Sequence, residues 1–164
     1  MPDPSLIMYE EEFRQIHAEL GRLHQQTNAK VTFLVDKNGQ LIASFGESKD
    51  LDTTSLASLT AGNIAATGGM AKLLGEKEFS ILFHEGEKDN IHISLIGQRV
   101  ILVVIFDQRS SLGLVRLRVK KSAENISQIF GRLEHKSKPD KVSKPDSKSP
   151  FAEITEEDIE KLFS

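Results

Sequence analysis

The 164-residue chain contains no cysteine and no tryptophan, and only one tyrosine. Lacking cysteine, it has no disulfides, thiolate metal sites or cysteine nucleophiles, and its composition suits a reducing cytosol. With so few stacking rings and a net charge of −3, it offers neither the platforms nor the basic field that nucleic acids require. Long apolar runs are missing too. The longest, Val100 to Phe106, is far too short to cross a bilayer, so no membrane insertion is expected. The opening MPDPSLIMYEEE has neither the basic region nor the apolar core of a signal peptide, and a cytoplasmic location is expected.

Motifs of catalysis are equally scarce. No G-x-x-x-x-G-K-[ST], H-E-x-x-H or G-x-S-x-G occurs, and Gly62, Gly68 and Gly69 do not fit G-x-G-x-x-G. His17 and His24 lie seven apart on an expected helix, and His84 and His92 flank an expected hairpin turn and so can approach each other. Histidine pairs of this kind are more often surface chemistry than ligands, so no metal site is assigned. The reading is of a protein with no cofactor and no active site of its own.

What the chain does have is an unusual stretch, LDTTSLASLTAGNIAATGGMAKLLG, from Leu51 to Gly75. Asp52, Thr53 and Thr54 carry a helix-start signal. Leu56, Leu59, Ala66, Met70 and Leu73 recur at helical spacing, and they are expected to face the protein's own sheet. From Thr53 to Ala71, fourteen of nineteen residues are Gly, Ala, Ser or Thr. Ala57, Ala61, Ala65 and Gly69 form an i+4 ridge with nothing larger than a methyl, beside a row of Thr54, Ser58, Gly62 and Ala66. Each glycine costs a helix about 1 kcal/mol relative to alanine. The ridge is therefore expected to point outward, where another helix or a partner protein can come close. The alternative is that the small residues let the helix lie tight on its own sheet.

Around this helix the chain reads simply. Residues 9–27 predict an amphipathic helix with Phe13, Ile16, Leu20 and Leu23 on one face and Glu10, Glu11 and Glu12 near its positive end. KVTFLVDKNGQLIASFG is a hairpin about Asp36-Lys37-Asn38-Gly39. Three more strands are expected at Phe79–Glu85, Ile91–Gly97 and Arg99–Asp107, the last central because it is apolar on both faces. A final helix runs from about Ser110 to His135, with Arg116, Arg118, Lys120 and Lys121 on a solvated outer face. The order helix, two strands, helix, three strands, helix predicts an α+β fold with an antiparallel sheet, two helices on one face and the central helix on the other.

Residues 135–150 are rich in Lys, Ser, Pro and Asp, with SKPD occurring twice, and read as a disordered linker after a domain of residues 1–134. Residues 151–164 form an acidic amphipathic segment in which Phe151, Ile154, Ile159, Leu162 and Phe163 offer an apolar face to some other surface. The alternative is a frayed solubilising end.

Several stretches, among them AKVTFLVDKNGQLI at 29–42, LDTTSLASLTAGNIAA at 51–66, VVIFD at 103–107, SLGLVRLRVKK at 111–121 and SPFAEI at 149–154, resemble the Roadblock/LC7 family, in particular its bacterial members that regulate a Ras-like small GTPase. The likeness spans nearly the whole chain, the linker least. It implies a five-stranded antiparallel sheet between one central and two terminal helices. It also implies a homodimer, through the central helix and the following edge strand, with a ten-stranded sheet. The implied function is activation of the GTP-bound GTPase, by realigning the GTPase's own catalytic residues, in cell polarity and gliding motility, with enrichment at a cell pole. The implied contact falls on Thr54, Ala57, Ser58, Ala61, Gly62, Ala65 and Gly69, with the tail as a second contact. A Roadblock scaffold for polarity or motor proteins, without GTPase activation, and a small-molecule sensor of profilin-like architecture remain alternatives. The sensor is disfavoured because a tightly small central helix is expected to leave little pocket volume.

Overall fold

The computed structural model describes residues 4–47 and 49–137. In chain order the elements are α1 (Pro4–Thr27), β1 (Val31–Asp36), β2 (Leu41–Gly46), α2 (Thr53–Leu74), β3 (Ile81–Glu85), β4 (Asn90–Ile96), β5 (Val100–Phe106) and α3 (Leu112–Ser137). The strands form one antiparallel sheet in the order β2-β1-β5-β4-β3. The all-apolar β5 lies at its centre, as its sequence requires, and β2 and β3 are its edges.

Alternation sorts the central strands into two cores. Leu102, Val104 and Phe106 of β5 meet Ile16, Leu20 and Leu23 of α1 and Val115, Val119 and Ile126 of α3. On the opposite face Ile101, Val103 and Ile105 join Phe33 and Val35 of β1 against Ala57 and Ile64 of α2. The fold is thus the expected α+β sandwich, with two helices over one face and α2 alone over the other.

The β1–β2 turn is closed by Asp36, whose Oδ1 accepts from the amides of Asn38 and Gln40 at 2.9 Å each. Gly39 supplies the positive φ of 91° that the turn needs. Helix α2 starts on the Asp52 side chain, which accepts from the Ser55 amide at 3.0 Å and its hydroxyl at 2.6 Å. It stops at Gly75 in a left-handed cap (φ 78°).

Four expectations change. Helix α1 begins at Pro4, where a missing N–H is no loss, so Glu10 to Glu12 sit beyond its first turn and away from its positive end. Phe13 is about half exposed while Glu12 is buried, because the inward stripe runs four residues back from Ile16, to Glu12, not three. His84 and His92 lie on opposite faces of the sheet, since the register places His84 beside Ile91 and His92 beside Phe83. Helix α3 continues through residues 135–137, the first three of the stretch read as linker. The tail residues Phe151, Ile154, Ile159, Leu162 and Phe163 lie outside the described residues.

Candidate partner-binding surface on helix α2

The outward and inward faces of α2 are not the expected ones. Ala57 and Ala71 are completely buried, with Thr60 and Ile64 nearly so. The larger side chains point away from the sheet: Leu59 is 71% exposed, Met70 58% and Leu73 89%. The cause is volume. Phe33, Ile101, Val103 and Ile105 already fill the space under the helix, so alanines at the contact let its axis settle close. Ala57 therefore belongs to the core and cannot meet a partner, and Ala61 is only partly accessible.

The remaining candidates do share an exposed flank. Thr54, Ser58, Gly62, Ala65 and Gly69 are all exposed on the side of α2 nearer the β1–β2 turn, where Gly39 approaches Ser58 and Ala61. A Cβ added at Gly62, Gly68 or Gly69 would meet nothing within 4 Å. Internal packing gives these glycines no reason to exist. Helix α2 thus has three sides: a small-residue core contact, a small-residue flank, and a crest of Leu59, Ala66, Met70 and Leu73.

The crest leans toward the edge strand β3. There the Asn63 amide nitrogen donates to His84 Nε2 at 2.9 Å, and Leu56, Leu59, Ile91 and Ile93 line a shallow apolar groove of about 330 Å³. Ile81 and Phe83 are partly exposed on the other face of this edge strand, the face of α1 and α3.

Toward its C-terminal end the flank drops into a larger groove of about 570 Å³ between α2 and the strand ends. Ala65, Gly68 and Gly69 form one wall, the partly buried Leu95 and Phe79 line it above the buried Ile64 and Ile101, and Lys37, Lys72 and Lys77 stand around it. The small residues line this volume, contrary to the expectation that they would leave little. The lysines carry no recognisable motif in the sequence; only the fold brings the hairpin turn, the end of α2 and the following loop together.

The other candidates are structural. His17 and His24 do share a face, but they flank the Phe45 ring at centroid distances of 5.2 and 5.3 Å, and no cluster of three metal-ligating side chains occurs among the described residues. Arg116, Arg118, Lys120 and Lys121 are exposed on α3. No helix among the described residues is long and apolar enough to cross a membrane.

The sheet order, the lone helix on one face and an exposed edge strand beside it define a Roadblock domain, and residues 17–106 match the model of the Roadblock/LC7 domain. The chain belongs to the Roadblock/LC7 family. Within that family it is similar to MglB of Myxococcus xanthus, at 61% identity over 75% of this chain and 92% of that one, with a TM-score of 0.73. A structure described as MglB with a tetrameric arrangement matches at 31% identity, covering 74% and 92% of the two chains, TM-score 0.71. The gliding protein MglB of Thermus thermophilus matches at 32% identity over 72% and 90%, TM-score 0.69. None of the curated proteins compared with the chain matches it.

Proposed function

We propose that this protein is a homodimeric regulator of a bacterial Ras-like (MglA-like) small GTPase, binding its GTP form and accelerating hydrolysis by aligning the GTPase's own catalytic groups. The observation that carries the reading is the division of α2 into an apolar crest beside an open strand edge and a separate small-residue flank. An edge strand with unpaired amides and carbonyls needs cover. A second copy, related by a two-fold axis, would cover both the edge and the crest of Leu59, Met70 and Leu73. The flank of Ala65 and Gly69, with Thr54, Ser58 and Gly62, is then left for the GTPase. The 61% identity to MglB supports the same assignment. Its own chemistry does not enter: the GTPase supplies nucleotide, metal and nucleophile, and the dimer supplies position.

The test is GTP hydrolysis by the cognate GTPase, with and without this chain. Acceleration is expected, and Ala65→Arg with Gly69→Arg should abolish it while the dimer persists, because two long cations replace a surface built for close approach. Binding without acceleration would make the protein a scaffold. Loss of the dimer in the same variant would move the flank into the dimer seam.

A further inference from the structure

The groove at the C-terminal end of α2 has a chemistry that a bare helix flank does not. Its accessible apolar lining is the partly buried Leu95 and Phe79, with the buried Ile64 and Ile101 beneath. Its rim carries Lys37, Lys72 and Lys77 from three different segments, and Glu78 is the one carboxylate among its described lining residues. Glu78 accepts a hydrogen bond from Gln98 Nε2 at 3.3 Å. None of the three lysines is held in an ion pair among the described residues. Three cations around one groove repel each other modestly when empty and reward an anion when filled. Gly68 and Gly69 in its wall have open space where a Cβ would be, although alanine at each would favour the helix by about 1 kcal/mol. Space kept open at a cost in helix stability, beside unpaired cations and next to the partly buried Leu95 and Phe79, suits an occupant that is both apolar and anionic. The groove is open to solvent along one side and continuous with the flank, which suits a polypeptide better than an enclosed small molecule.

We propose that this groove seats a short acidic, apolar-anchored peptide segment of the protein that docks on α2, its apolar side chains against the partly buried Leu95 and Phe79 and its carboxylates on Lys37, Lys72 and Lys77. The inference rests on the reading of α2 as a partner surface and adds the chemistry by which the partner is chosen. Charge complementarity of this kind sets selectivity and encounter rate more than raw affinity.

The groove is tested on the full-length protein with a fluorescein-labelled synthetic helix carrying Glu on one face and Leu on the other, followed by anisotropy. Controls replace every Glu by Lys, or every Leu by Ser. The Glu/Leu peptide should bind saturably and weaken as salt is added, with both controls weaker by about tenfold or more. Lys72→Glu with Lys77→Glu should weaken it by about tenfold, and Gly68→Leu should block it without added charge. Equal binding of the Lys peptide, or indifference to both variants, overturns the proposal. The same variants are then titrated with the GTPase loaded with a non-hydrolysable GTP analogue, and a loss of about tenfold is expected. Undiminished GTPase binding would overturn the groove's role in docking and leave the proposed function standing. Peptide binding that needs the lysines, with no GTPase binding to the unmodified protein, would support the groove and discard the GTPase.

Discussion

His92 lies on the face of β4 opposite α2, completely buried, with neither ring nitrogen hydrogen-bonded. Burial and the nearby Arg116 charge lower its pKa from 6.5 to about 4, burial being the larger cause. In the unfolded chain the ring takes a proton near pH 6.5, whereas the native protein refuses it until about pH 4. The unfolded state therefore binds more protons across that window. Stability is full above pH 6.5, falls as pH drops, and stops falling below about pH 4, with a total of about 3 kcal/mol at about 1.4 kcal/mol per unit. His92→Leu keeps a side chain of similar bulk and has no proton to take. Denaturant unfolding at pH 7 and pH 4.5 should show the native protein losing most of this stability and the variant losing distinctly less. Equal losses would place the acid sensitivity elsewhere.

At the scale of the element, α2 divides its tasks by side. Its inner side needs small residues for contact, so Ala57→Leu should destabilise the fold by about 1–3 kcal/mol through overpacking, whatever the partner does. Its crest needs large ones for association. Leu59→Glu with Leu73→Glu changes two exposed positions and leaves both cores untouched, so the far-ultraviolet circular dichroism should stay native while light scattering reports a monomer. A dimer that survives this change would exclude the crest from the seam.

For the whole molecule, the question is what the C-terminal segment adds to the domain. A linker of the length of residues 138–150, if it behaves as its Lys/Ser/Pro/Asp composition leads one to expect, would have a typical reach of about 20 Å, by ~5–6 Å times the square root of length. A partner already held on α2 would meet a tethered apolar and acidic segment at high effective concentration. Truncation after Ser137, the last residue of α3, should leave the dimer and the principal GTPase contact intact while weakening affinity or altering nucleotide release. Replacing Ile159, Leu162 and Phe163 together by Ser should reproduce it at unchanged charge. If all three proteins behave alike in a titration and in nucleotide release, the segment only solubilises.

The sequence by itself determined the order of elements, the central place of β5, the hairpin turn at Asp36 to Gly39, and the start and stop of α2. These follow from local signals: apolar alternation, a glycine in a turn, a side-chain cap. It also made α2 the element on which a partner surface was expected, because too many small residues there had no local reason. It did not decide which side of α2 faces inward. The helix is apolar or small nearly all round, so periodicity gives two competing stripes, and the larger one is the natural choice for a core. Only the volume already occupied by Phe33, Ile101 and Val103 in the sheet turned Ala57 and Ala71 inward and left Leu59, Met70 and Leu73 outside. The lysine groove was equally illegible, because Lys37 is thirty-five residues from Lys72 in the chain and becomes its neighbour only when the hairpin turn folds against the helix. Local chemistry fixes elements along a chain; the faces they present are settled by the space their neighbours leave.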